Sequence, residues 1–424
     1  MLAIVKAGTA AMEKRLADIA LRAGSDAAQM RGEVRALLDD ITGRGEAAVN
    51  DIALRFDGVP PREIPREEWE TAAKQCGPVI LEDLRRAARN IEEYQKRLLP
   101  KSGEWTNGEG GKLGVLIRPV SRAGLYVPGG TSAYPSTVLM TAIPARAAGV
   151  GEVIICTPPG EQLKPEVLAA ALICGVDRVF ALGGVPAIAS MALGLGLVPR
   201  CDVVAGPGNA HVTEAKRQMF GFCGIDSTAG PSDILVLCDH TAPPAWVAAD
   251  LLSQAEHGGR SRAVLVTTEE ITARAVFAEL EKQLAVLPRR EEAEAALQDY
   301  SAIFTVSSME EALDIVNEIA PEHLELIAED AEKLLDGIYN AGAVFIGPYS
   351  PEPLGDYWAG PSHVLPTGGR ARFFSPVSAE TFLKRVSTIS YDKEAFLPVA
   401  DNIARLARTE GLEAHARSAE VRKS

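Results

Sequence analysis

Two series of short, β-branched apolar runs constrain this chain more than any other feature. Each run is followed by glycine or proline and then by a helix-spaced pattern. The first series holds Gly124–Val127, Val153–Cys156, Val179–Leu182 and Val203–Ala205. The second holds Ile234–Leu237, Ala263–Val266, Ala302–Val306 and Ala343–Ile346. Strands of this kind, alternating with helical patterns, are expected to form βαβ units on a parallel sheet. The fold class is therefore α/β, with two Rossmann-like αβα halves that resemble a duplication. An N-terminal helical region precedes them. Its patterned segments are Asp26–Ile41 and Glu67–Leu98, the latter interrupted at Gly77-Pro78. Gly103–Pro119 is glycine-rich and then β-like, as in a hairpin or edge strand. The last stretch, Ser375–Ser424, reads as a charged helical appendage.

Charge and composition exclude some partners. A net charge of −14 argues against nucleic acid and against an anionic membrane surface. The six cysteines are scattered, with no CxxC pair, as buried thiols in a reducing compartment would be. The N-terminal run Met1–Lys6 is too short for a signal peptide. No apolar run approaches the ~20 residues that span a bilayer. A cytoplasmic protein is expected.

Chemistry concentrates in a few places. A patterned helix runs from Met309 to about Ile319 and stops before Pro321, because the residue ahead of a proline is pushed out of the α region. Glu322 and His323 follow directly. These side-chain types move protons near neutral pH, although an isolated pair is also compatible with a solvated loop. Leu324 and Leu326 alternate with His323 and Glu325 as in a strand, which would turn Glu322 away from His323. Both can serve one substrate only if the backbone is irregular at Pro321–His323.

Three glycine loops, Pro128–Thr131, Gly183–Pro186 and Gly206–Asn209, open helices. Free amides at a helix N-terminus suit a phosphate, and ligands of open α/β sheets bind at the carboxyl ends of strands. None of the loops matches GxGxxG, and tight turns explain them equally; Asn209 can serve simply as a helix cap. Gln254 and His257, three apart near a helix end, can offer two ligands to one ion, although the helix dipole alone also favours a histidine there. Asp356 and His363 share a Gly/Pro-rich loop, and His415 lies in a polar helix.

Taken together, these motifs resemble the histidinol dehydrogenase family over essentially the whole chain from about residue 30. The resemblance rests on Tyr126–Gly130, Gly206–Asn209 with Thr213–Arg217, Ala229–Ser232, Ser253–His257, Ala320–Leu324, Gly355–Tyr357, His363–Thr367 and Glu410–His415. It implies NAD-dependent oxidation of L-histidinol to L-histidine through an aldehyde, with zinc. It also implies Gln254, His257, Asp356 and His415 as zinc ligands and Glu322 and His323 as the catalytic pair. Ser232 and Glu410 match substrate positions, which the zinc ligands and His323 also serve. Tyr126 and Asn209 match NAD contacts, and Pro186 stands where the family has an NAD-contacting glutamine. His323, taken to sit beside a helix N-terminus, would be kept neutral by the dipole.

The implied division is an N-terminal arm (1–22), a larger α/β domain (23–124 and 235–374), a Rossmann-like NAD-binding domain (125–234) and a helical C-terminal tail (375–424). In a homodimer that tail would reach the partner's site. Asp233 and Gly258-Gly259-Arg260 depart from the family pattern, as does Glu93-Tyr94-Gln95. Two alternatives follow: a paralogue acting on another hydroxylated molecule, and a silent NAD- or metal-binding protein. Retention of Glu322, His323 and every implied ligand weighs against the second.

Overall fold

A computed structural model of the chain describes residues 2, 4–6, 8–21, 27–129, 133–160, 163–228, 230–258 and 260–424. Gly130, Thr131, Ala229 and Gly259, quoted above among the motifs, lie outside the described residues. The chain forms two compact units, one of Met1–Leu98 with Ser121–Phe382 and one of Leu99–Val120 with Leu383–Ser424.

The first unit holds two six-stranded sheets. One runs, edge to edge, through Ile4–Lys6, Ala302–Thr305, Arg262–Thr267, Asp233–Cys238, His323–Ile327 and Ala343–Ile346, all parallel. The other runs through Arg62–Glu63, Arg178–Ala181, Glu152–Thr157, Arg122–Tyr126, Val203–Ala205 and Gly224–Ile225, parallel except at the Arg62–Glu63 edge. Leaving out the added edge strand, each sheet places its strands in the order third, second, first, fourth, fifth. This is a Rossmann-like half, present twice. The mixed α/β class expected from the apolar runs is what the chain adopts.

The strands are apolar throughout because both faces of the sheets are covered. In the first sheet Ile234, Val236, Ala263 and Leu265 pack under the helices Pro244–Ala255 and Glu270–Leu284. Their neighbours Leu235, Leu237, Val264 and Val266 pack on the opposite face, under Met309–Ile319. The N-terminal helices Ala27–Arg44 and Glu46–Asp57 share a core with the second sheet, through Val34, Leu38, Ile41, Val49 and Ile52 against Ile154, Phe180 and Met191. Helix Arg66–Gln75 stops and Pro78–Arg97 restarts around Gly77, as the Gly-Pro step implied.

Each series gains a fifth strand that the apolar runs alone did not separate. In the second series it is His323–Ile327, the strand that carries the catalytic candidates. Helix Met309–Ile319 is capped at its start by the Ser308 hydroxyl and ends at Ala320, whose φ is 50°. Ala320 is the only non-glycine with positive φ among the described residues. Glu322 then sits in a bend outside the strand. The neighbouring segment holds that bend: Gly342 N donates to Pro321 O at 2.8 Å and Ala343 N to Glu322 O at 2.9 Å.

In the second unit, Gly103–Thr106 and Lys112–Pro119 form the expected hairpin, and Leu383–Ser390 pairs antiparallel with Lys112–Pro119. The C-terminal stretch is therefore not helical from its start. After one 3-10 turn at Ala379–Phe382 comes an eight-residue strand, and the helices Ala400–Thr409 and Glu413–Glu420 follow. The strand residues Val386, Thr388 and Ile389 are β-branched, which suits an extended surface. Arg408 ties the two helices together through Glu413 at 2.8 Å and Glu420 at 2.7 Å.

A Cβ on Gly342 would lie 2.5 Å from Glu322 O, so the backbone can approach only because the side chain is missing. Gly342→Ala is expected to destabilise the protein by about 1–3 kcal/mol, as overpacking does. Gly43→Ala, in a helix with open space around it, should be neutral or stabilising. Equal melting temperatures for the two variants would refute the close approach.

Candidate active site

The left-handed turn at Ala320 meets the geometric demand posed by Glu322 and His323. Glu322 Oε2 lies 4.0 Å from His323 Nδ1, and both side chains are buried. Leu324 and Leu326 join the core under Met309–Ile319. Ile327 packs with the opposite core, beneath Pro244–Ala255, so alternation sends His323 and Glu325 to that side. His323 Nδ1 lies 3.0 Å from Asp233 O. A carbonyl can only accept, so Nδ1 carries the proton and Nε2 keeps its lone pair. Nε2 is buried and has no protein partner among the described residues.

His323 opens a strand, not a helix, so the dipole argument for its neutrality fails. Burial does that work: it pushes the imidazole below its ordinary range, against the opposing pull of Glu352 and Asp233. Burial, with Asp233 next in weight, pushes the Glu322 carboxyl well above its usual value. The Ser232 side chain hydrogen-bonds to Glu322.

A metal-capable cluster adjoins this pair. Ligand atoms of His323, Glu352 and Asp356 all lie within 4.8 Å of one another. Asp356 falls in the short helix Glu352–Tyr357, and His363 Nδ1 lies 3.9 Å from its Oδ1. Burial pushes His363 down to about 4. His257 is near enough to influence the titration of His323, Glu352 and Asp356. Gln254, in the last turn of Pro244–Ala255, is buried, and neither its amide oxygen nor its nitrogen has a partner among the described residues. A buried orphaned amide is costly without a ligand. Imidazole nitrogen with carboxylate and carboxamide oxygens is a donor set that Zn²⁺ accepts, so these residues fit such an ion. Glu410 and His415 lie in the second unit, both exposed.

The cofactor candidates come together as well. Tyr126, Pro186 and Asn209, from three separate strand-to-helix connections and their flanking ends, line one cleft of about 770 Å³. That volume is within the ~300–1,000 Å³ of small-molecule sites. Burial pushes the Tyr126 phenol up to about 12. Pro186 is the third residue of helix Gly184–Leu193, where a missing N–H costs nothing. Asn209 caps the next helix, accepting from Val212 N at 3.0 Å.

Three of the glycine amides are not free for a phosphate. Gly183 N donates to Asp57 at 3.0 Å, Gly184 N to the Tyr126 hydroxyl at 3.1 Å, and Gly206 N to Asp226 at 2.8 Å. The Gly183 and Gly206 loops are thus held by the protein's own acceptors.

Comparison with known proteins matches this architecture. The family model described as histidinol dehydrogenase covers residues 20–423. The chain belongs to the histidinol dehydrogenase family. It is 49% identical over 403 residues to the histidinol dehydrogenase of Heliobacterium mobile, covering 94% of each chain. It is 47% identical over 399 residues to that of Bacillus subtilis (strain 168), covering 93% of each. The crystal structure of histidinol dehydrogenase from Elizabethkingia anophelis superposes with a TM-score of 0.93 at 34% identity, over 99% of this chain and 98% of that one.

Three features of this family member escaped the sequence reading. Glu352 completes the ligand cluster, yet it sits in a Pro-Glu-Pro step with no periodic signal. Arg262 is paired with Asp233 inside the core, and only its position at the start of an apolar strand hinted at this. Lys216 forms a buried ion pair with Asp226 and donates to Gly206 O at 2.8 Å, clamping the Gly206 loop from both sides. Removing one partner of a buried pair strands the other charge. Lys216→Met should therefore cost about 3–5 kcal/mol in denaturant unfolding. Adding Asp226→Asn should recover part of that loss, because it discharges the partner and can still accept from Gly206. No recovery in the double variant would contradict the pairing.

Proposed function

We propose that this chain oxidises L-histidinol to L-histidine through L-histidinaldehyde, in two NAD-dependent steps that complete histidine biosynthesis. One observation carries the reading: the bend at Ala320–Glu322 sets a carboxyl group and an imidazole with a free Nε2 side by side, against a cluster able to hold a cation.

Each residue then has a task. His323 Nε2 takes the proton of the substrate alcohol, being neutral and fixed in tautomer by its Nδ1–H bond to Asp233 O. Glu322 takes a proton from the water that adds to the aldehyde, and burial makes it a stronger base than a free carboxylate. Ser232 holds Glu322 and faces the substrate. Gln254, His257, Asp356 and His415 hold Zn²⁺ and with it the substrate; Glu410 contacts the substrate directly. Bound zinc supplies a fixed positive charge that orients the substrate's polar groups. Tyr126, Pro186 and Asn209 seat NAD, which supplies the hydride acceptor.

His415 and Glu410 come from the partner's tail in a homodimer. The second unit's exposed Val386, Ile389, Leu406 and Val421 suit such a contact. The enzyme works in the cytoplasm, in keeping with six unpaired cysteines and with no described helix long and apolar enough to cross a membrane.

Purified, zinc-loaded protein should form two NADH per L-histidinol, with histidine as product. His323→Ala should slow alcohol oxidation by about 10²–10⁴-fold, the usual worth of a general base. Glu322→Gln should mainly slow oxidation of the aldehyde. Equal losses in both half-reactions would sink that division of labour.

A further inference from the structure

We infer that Asp233, clamped by Arg262, is the positioning residue of the catalytic pair, its carboxylate fixing the bend through which Glu322 and His323 reach one substrate. The inference rests on the reading above for its chemistry, but its geometry stands apart.

Every polar atom of Asp233 is engaged. Its amide donates to Glu322 Oε2 at 3.0 Å, and its carbonyl accepts from His323 Nδ1 at 3.0 Å. Oδ1 accepts from Glu322 N at 2.7 Å. Oδ2 accepts from the Arg262 guanidinium and from Gly368 N, the latter at 3.3 Å. Asp233 and Glu322 are thus reciprocal: the amide of each donates to the carboxyl group of the other. The bond from Oδ1 holds the backbone where it leaves the strand path.

Two carboxyl groups in such contact inside a core repel each other unless a cation compensates. Arg262 supplies it, and Arg262 is itself anchored to Ile19 O at 3.1 Å. Asp233 is 2% exposed and Arg262 7%, so neither serves solubility. Buried ion pairs contribute little net stability over apolar packing, which leaves geometry as the reason for this one. The carboxylate's two acceptor oxygens meet three donors: Glu322 N, Arg262 and Gly368 N. An amide has one acceptor and turns a donor toward one of them, so Asp233→Asn must break at least one arm of the clamp.

The test measures both half-reactions of the holoenzyme separately, together with the His323 tautomer by ¹⁵N-histidine NMR. In Asp233→Asn the aldehyde half-reaction should lose at least tenfold in kcat, with KM within about twofold. The alcohol half-reaction should lose less, because the Asp233 carbonyl that holds His323 remains, although its hold loosens as the bend relaxes. The Nδ1–H signal of His323 should weaken or broaden. Arg262→Lys, which keeps the charge but not the fork, should show the same pattern at smaller amplitude, and it decides the matter if the Asn variant fails to fold. Unchanged kcat ratios and an unchanged tautomer in either folded variant would overturn the inference. A wild-type enzyme inert toward histidinol would count against the assigned reaction instead, and the NMR comparison would still decide the positioning role.

Discussion

The left-handed backbone at Ala320 is the constraint on which the site depends. An L-residue in this region costs about 1–2 kcal/mol, and Ala320 is fully buried, with no solvent to relax it. The strain persists because its surroundings over-determine it: the helix end bonds Ala320 N to Val316 O at 2.8 Å, and proline follows. Gly342 and Ala343 then hold Pro321 and Glu322 from the neighbouring strand, and Asp233 holds them from the other side. Without the turn, helix Met309–Ile319 would lead straight into a regular strand and Glu322 would face the core opposite His323. Strain held this way commonly marks a functional site.

The two halves use opposite edges of their sheets. In the second sheet the cleft lined by Tyr126, Pro186 and Asn209 lies at the carboxyl ends of the strands, beyond Tyr126 and Ala205, where open α/β folds generally bind ligands. In the first sheet the candidate site lies where the strands open: Asp233, Arg262 and His323 each stand at the amino end. Helix Pro244–Ala255 runs back against its sheet and so delivers Gln254 and His257 to that same amino edge. A duplicated fold thus provides two unlike sites, because turns and caps differ where the strands do not.

Much of this was legible in the residues. The βαβ alternation locates eight of the strands, since continuous apolar runs are what a sheet covered on both faces demands. Gly77-Pro78 and Pro321 mark breaks because backbone sterics are local. What stayed hidden was long-range or cancelled locally. Asp233 meets Glu322 across 89 positions, and no periodicity encodes such a contact. The strand His323–Ile327 carries two ionisable groups and so lacks the apolar run that revealed its neighbours. Glycine loops suggested free amides, but Asp57 and Asp226, distant in sequence, already occupy those of Gly183 and Gly206. The dipole assigned to His323 belonged to a helix that does not form there.

The charge balance explains why these residues must be read as a set. Glu325, Glu352 and Asp250 cluster beneath the site, and burial raises them to about 9, 7 and 6. Asp250 reinforces the shift of Glu325, and Asp356 that of Glu352. Glu322 and Asp356 are raised as well, again chiefly by burial. Five buried carboxyl groups cannot all ionise together in a low-dielectric interior. They must share protons or face a cation. Among the described residues His257 lies near enough to influence Glu352 and Asp356, while Arg262 is committed to Asp233. A divalent cation beside Asp356 would offset the carboxylate charge and leave His323 Nε2 free as the base. The same desolvation that makes the carboxyl groups costly also strengthens their attraction for any positive charge that enters the site.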